Sequence, residues 1–178
     1  MRLVSIRFIL FVGLVSISFS VFGGGYSKDL TTAKLNYYHY LKGDISNYTI
    51  GHFDDLNQLE LELNKIIKLI NQAESHPENK NNAKLLGKIY LLKAEVFTDL
   101  ARVIKTMIYN SISKNIPVVT IDQPVAGFTL HQAVEAAQSA ISNAYQNNQS
   151  DAIRYEIDNI QIQLNSVVNE FNKVFAPQ

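Results

Sequence analysis

The sequence predicts an all-α fold, an antiparallel helical bundle of about five helices with one extended insert. Three observations predict it. Apolar residues recur at spacings of three and four along most of the chain. No alternating apolar and polar run of useful length occurs outside residues 114–128. Two connections, at 74–80 and 146–149, are short enough to hold their flanking helices antiparallel. The 178 residues are 47% hydrophobic and 18% charged, which fits one folded domain rather than a disordered tail. Sixteen basic residues balance sixteen acidic ones, so no polyelectrolyte footprint points to a nucleic-acid partner. The absence of cysteine excludes a disulfide framework, a zinc finger, a thiol nucleophile, covalent haem attachment and a lipid-modified N-terminal cysteine.

Residues 1–24 read as a secretory signal peptide. Arg2 and Arg7 precede the apolar run Phe8–Phe22, which ends at Gly23-Gly24-Gly25. That run of 15 residues is short for a spanning helix, which needs about 20. Cleavage is expected between Ser20 and Gly25, releasing the chain to the periplasm or the extracellular space. An uncleaved signal anchor, tethering the domain to a membrane, is the alternative. Residues 25–178 are expected to form a single α-helical domain with no membrane span, slightly acidic once Arg2 and Arg7 are removed.

A first helix is predicted from Lys28 to Lys42, carrying Leu30, Ala33, Leu35, Tyr37, Tyr38 and Leu41, and stopping at Gly43-Asp44. Ile45 to His52 is loop-like. A second helix follows Phe53, with Leu56, Leu59, Leu63, Ile66, Ile67, Ile70 and Ala73 on one stripe. It ends before His76-Pro77, since a residue before proline is pushed out of helical geometry. The third helix, from about Asn81 to Ser113, is the longest, with Leu86, Ile89, Tyr90, Ala94, Phe97, Leu100, Ala101, Ile104, Met107 and Ile108 as its apolar stripe. Residues 114–128 form the insert, where Pro117 and Pro124 bracket the β-branched run Val118-Val119-Thr120-Ile121. Thr129 caps a fourth helix in a capping box with Gln132, and Ala133, Ala136, Ala137, Ala140 and Ala144 give that helix a face permitting close approach. Ser150 opens a fifth helix whose Ile153, Ile157, Ile160, Leu164, Val167, Phe171 and Val174 form a heptad seam.

The register of the second and third helices resembles a divergent tetratricopeptide-like (TPR) helical hairpin. Pro77, followed by Leu86-Gly87 and Tyr90, is similar to the proline that ends one such repeat and the Leu-Gly-x-x-Tyr that opens the next. Ala133, Ala137 and Ala140 resemble the small-residue pattern of the repeat's second helix, with alanine at the usual aromatic position. The resemblance covers about 70 residues. The third helix is much longer than a repeat helix, and the insert separates the two halves. The resemblance implies a scaffold or adaptor that binds a peptide or partner protein.

Catalytic, cofactor-binding and metal-binding residues are not found. The four histidines form no His-x3-His pair and no His-Glu-x-x-His zinc helix, and His131 with Glu135 reads as an exposed helix pair. Met107 sits on an apolar stripe as a core residue rather than a haem ligand. No Gly-x-Ser-x-Gly elbow and no phosphate loop occur. Glu95 with Asp99, and Glu156 with Asp158, are expected on solvated helix faces. The chain is therefore expected not to be an enzyme and to hold no cofactor.

Two segments are candidates for recognition. Tyr37, Tyr38, His39 and Tyr40 are consecutive, with Tyr48, His52 and Phe53 close behind. Consecutive tyrosines on a helix point in several directions, so one or two should be exposed and suited to contacts. In the insert, Val118, Val119, Ile121 and Phe128 either plug one end of the bundle or present an extended edge. The favoured expectation is an exported, non-catalytic interaction protein recognising a protein or peptide through the aromatic segment or the insert. A small-molecule-binding bundle accessory to transport or envelope function is the alternative.

Overall fold

The long third helix, Ala83–Ser113, is apolar around most of its circumference, so it has to be enclosed on several sides. The computed structural model describes residues 28–42, 53–113, 124–148 and 150–175. Among them α1 (Lys28–Asn36) runs directly into a π-helical turn (Tyr37–Leu41). Then follow α2 (Phe53–Ser75), the single turn α3 (Pro77–Lys80), α4 (Ala83–Ser113), α5 (Leu130–Asn147) and α6 (Asp151–Phe175). The described residues contain no strand, and the all-α bundle expected from the periodicity is the observed architecture. No helix among them is long and apolar enough to cross a membrane.

α4 occupies the centre. α5 packs most extensively against it, because Ala133, Ala137, Ala140 and Ala144 are buried at the contact and let the two backbones approach. The pair is antiparallel: Gly87 near the start of α4 meets Asn148 just past the end of α5, whereas Phe97 further along meets Phe128 just before it, ring centroids 5.0 Å apart. α6 runs parallel to α4, with Arg102 reaching Gln163 and Lys105 reaching Glu170. Its Ile157, Ile160, Leu164 and Val167 are buried. α2 covers a third sector with Leu59, Leu63, Ile66, Ile67 and Ile70, and Lys93 of α4 pairs with Glu74 near its end at 2.5 Å. α1 is antiparallel to α4, since Tyr37 meets Asp99 while Lys42, further along, meets Glu95.

Side-chain amides organise the turn between α2 and α4. Buried Asn79 donates to the Ala73 carbonyl at 2.7 Å, a carbonyl in the last turn of α2 that otherwise accepts a longer bond, 3.4 Å, from the His76 amide. Asn82 accepts from the Leu85 amide at 3.0 Å and caps α4, which starts at Ala83 rather than at Asn81. Pro77 begins the one-turn helix α3 from the N1 position that proline tolerates, an element the sequence pattern did not indicate. At α5 the expected capping box is present, with Gln132 N–H donating to Thr129 Oγ1 and Thr129 N–H donating to Gln132 Oε1.

Three features differ from the expectations. The first helix does not stay α-helical to Lys42: the Lys42 amide bonds the Tyr37 carbonyl five residues back, and the wider turn keeps both Tyr37 and Leu41 on the buried side. The last residues of the insert, 124–128, form a tight reversal rather than an extended segment, while the β-branched run at 118–121 lies outside the described residues. Val125 and Phe128 exchange both backbone hydrogen bonds, at 2.8 and 2.9 Å, across Ala126 (φ 52) and Gly127 (φ 82). Positive φ at both central residues is the two-residue hairpin geometry that closes such a turn. Finally, the heptad seam of α6 leaves the core before it ends: Phe171 is half-buried and Val174 is 54% exposed, because α6 extends past the start of α5.

Gly87 exists for a close approach. A methyl there would collide with the Asn148 side chain, which is buried and tied to the Ala144 carbonyl at 2.9 Å. Alanine favours a helix over glycine by about 1 kcal/mol, but overpacking costs about 1–3 kcal/mol. Gly87→Ala is expected to lower the urea midpoint by an amount equivalent to roughly 1 kcal/mol with an unchanged slope. In an Asn148→Gly background the same substitution should raise it, which equilibrium denaturation of the four variants will show.

Candidate functional site

α4 carries charged residues on a largely apolar rod, and the π-helical turn is aimed at them. Tyr37 Oη donates to one oxygen of the Asp99 carboxylate at 2.7 Å. Arg102, one turn further along α4, donates to the other oxygen at 2.7 Å and to Gln163 of α6 at 3.2 Å. Both Tyr37 and Asp99 are buried. Glu95 and Asp99 are thus not on a solvated face, as their spacing had implied. Asp99 lies beneath Tyr37, and Glu95, largely buried, accepts from Tyr38 Oη and from Lys42 Nζ, the latter at 2.6 Å. The ammonium of Lys42 also lies 4.9 Å from the Tyr38 ring centroid and 5.6 Å from that of Tyr37, within cation–π range. The two rings meet edge to face at 5.0 Å.

Burial raises the Asp99 carboxyl above its ordinary range, against the opposing pull of Arg102 and the Tyr37 hydroxyl. The Tyr37 phenol is pushed far upward, first by burial and then by the Asp99 and Glu95 charges. Tyr38 is raised by burial and by Glu95. The buried part of this cluster is closed, with each group bonded to another, so its chemistry is that of a tie between α1, α4 and α6. Tyr38, at 44% exposed, and Lys42 bring it to the surface on the α1 side, and Arg102 with Gln163 on the α6 side.

Of the other sequence candidates, Phe128 is half-buried and packs on Phe97, and the amide of the neighbouring Ala126 donates to the Glu60 carboxylate of α2. The described end of the insert is therefore fastened to the bundle. Tyr40 lies in the π-helical turn and Phe53 opens α2, but their side chains, like Tyr48, His52, Val118, Val119 and Ile121 and the whole of residues 1–24, fall outside what the structure describes. His131 and Glu135 form an exposed pair at 3.1 Å. Among the described residues no three His, Asp or Glu side chains are placed to hold a metal ion.

Two clefts that the sequence did not indicate flank Phe171. One, of about 230 Å³, lies between the start of α5 and the last turns of α6, lined by Leu130, Val134, Val167, Val168 and Phe171 with His131 at its rim. The other, of about 300 Å³, lies between the C-terminal turns of α4 and α6, where Tyr109, Phe171 and Val174 meet Lys105, Glu170 and Lys173. Lys105 holds Glu170 below the usual carboxylate range through their hydrogen bond. The only sequence signal for either cleft is that the α6 seam continues to Val174, beyond what the bundle can cover.

Comparison with known proteins gives no relative: no family model matches the chain, and no curated protein or solved structure shows significant similarity to it.

Two outcomes follow from the buried polar groups. The unfolded Tyr37 phenol ionises near 10.0, whereas the folded one stays protonated well above that. Stability from this group is complete below pH 10 and lost progressively as pH rises beyond it. Tyr37→Phe should flatten this alkaline loss in pH-dependent denaturation while costing about 1–3 kcal/mol at neutral pH, because Asp99 loses a donor. Asn110 of α4 is fully buried, and neither amide atom has a hydrogen-bond partner. Asn110→Leu, similar in volume, should raise stability by about 1–3 kcal/mol, read as a higher thermal midpoint.

Proposed function

We infer that the protein is an exported, non-catalytic interaction protein, a scaffold, adaptor or envelope-associated binding protein, that recognises a protein or peptide. The observation that carries this is the open apolar groove between α5 and α6, next to the end of the insert, with Val134, Val167 and Val168 as its floor and His131, Thr129 and Asn172 around it. An apolar depression with a polar rim suits one anchoring side chain of a partner. Its volume, about 230 Å³, is below the roughly 300–1,000 Å³ of sites that enclose a small molecule, so this groove suits a protein anchor, while the cleft between α4 and α6 only reaches the lower bound of that range. The exposed edge of Tyr38, outside that groove, provides a second, aromatic contact. The repeat-like register at Leu86-Gly87 and Tyr90 supports the same class of reading, since such hairpins commonly serve as scaffolds. Export rests on the signal-like residues 1–24.

The test is capture from the exported fraction, identification of the retained protein, and titration of that purified partner against wild type and Val168→Asp. Val168 is only half-buried, so a carboxylate there charges the groove with little effect on the fold. The expected result is at least a tenfold loss of affinity, about 1.4 kcal/mol, at an unchanged melting midpoint. Equal affinities would remove the groove from the reading. N-terminal sequencing of the exported chain should find a new terminus between Ser20 and Gly25.

A further inference from the structure

We propose that the end of the bundle formed by the last turns of α4 and α6 is a lipid-facing surface that rests on a bilayer. Its orientation relative to the N-terminal apolar run rests on the export reading above, but its lipid contact is tested independently of export. Val174 is 54% exposed and Tyr109 partly exposed at a cleft of about 300 Å³ that Phe171 also lines, and Ile112, one turn beyond Tyr109 on α4, is 58% exposed. Lys105 and Lys173 stand at the cleft margin. Apolar groups, a tyrosine and snorkelling lysines on one small face are the composition that sits at the headgroup boundary.

The chain's own path selects a bilayer as the occupant. α1 is antiparallel to α4 with Tyr37 opposite Asp99, so Lys28, nine residues earlier, lies about 14 Å further toward the C-terminal end of α4. The chain therefore enters the bundle at the end that carries Ile112 and Val174. Only residues 23–27 separate Lys28 from the apolar run Phe8–Phe22. Five residues span at most about 18 Å. Whenever that run occupies a membrane, before cleavage or as a retained anchor, this end of the bundle is held against the membrane surface. A polar end there would be neutral to contact, whereas this one buries apolar area on contact. The lysines are offset by Glu170 and by the negative dipole ends of two parallel helices, so the attraction is apolar and zwitterionic lipid suffices.

The chain contains no tryptophan, so a single introduced one reports its own surroundings. Ile112→Trp, Val174→Trp and Tyr155→Trp are made in the full chain, all at exposed positions, and each is mixed with phosphatidylcholine vesicles with and without brominated acyl chains. Tyr155, 69% exposed, lies 19 residues before Val174 on α6, about 28 Å away. The expected result is a blue shift and bromine quenching at positions 112 and 174, with neither at 155, unaffected by added salt. Quenching at none of the three, equal quenching at all three, or loss of quenching on adding salt overturns the proposal. Attachment through residues 1–24 alone leaves positions 112 and 174 unquenched and also overturns it. Failure of the export reading shows separately, as an exported fraction lacking the chain.

Discussion

The burial of α4 is the constraint on which the rest of the structure depends. A helix of 31 residues is about 46 Å long, and its buried side chains point in all directions around the axis. No single neighbour can shield such a rod. α5 takes one sector through a row of alanines, α6 another through its heptad seam, α2 a third through leucine and isoleucine, and the π-helical turn a fourth through Tyr37. The different sizes of these contact residues are a packing solution: small residues where α5 comes closest, and a single large aromatic where α1 is farther out.

An apolar rod in an apolar sleeve has little to fix its register, since sliding by a turn exchanges one aliphatic contact for another. The polar groups of α4 supply that information. Asp99 accepts from Tyr37 and from Arg102, and Arg102 continues to Gln163, so one connected chain sets the positions of α1 and α6 along α4. A buried carboxylate with an unoccupied partner position costs several kcal/mol, whereas the satisfied arrangement is near neutral. Misregistered packings therefore suffer far more than the correct one gains. Asn110 and Thr98 do not follow this logic, being buried with side-chain polar groups that find no partner. They are a cost in α4 that nothing in the described structure offsets.

The helices were legible because apolar spacing records which side is covered, and covering is what organises this fold. Ile157 through Val167, the alanine face of α5 and the Thr129–Gln132 cap could all be read directly. The tie at Asp99 could not. Glu95 and Asp99 four apart look the same whether the face is wet or covered by a tyrosine 62 residues from Asp99, and only the near-continuous apolar composition of α4 around them hinted at burial. The Val125–Phe128 reversal was hidden for a local reason. Its first central residue is Ala126, which adopts positive φ at a cost of about 1–2 kcal/mol, where asparagine or glycine would have announced the turn. The hydrogen bond from its amide to Glu60 is a tertiary contact no local pattern encodes. The clefts beside Phe171 arise from where helices stop relative to one another, a quantity set by packing register rather than by any residue's identity.

That mismatch of endings gives the molecule two unlike ends. Where α5 meets α6, the turn at 146–150 is rich in amides, and Asn148 is drawn inward against Gly87. At the other end α4 and α6, being parallel, finish together, and α5 begins short of them, so no described helix covers Ile112 and Val174. α5 is only 18 residues, and the connection before it is spent in part on fastening Val125 and Phe128 to the flank of the bundle. The shortness of α5 thus leaves both the groove at its start and the apolar end beyond it, and the direction of α1 brings the chain in at that same end. A partner seated between α5 and α6 would then stand beside a surface held at the membrane, with Phe171 forming the wall common to both.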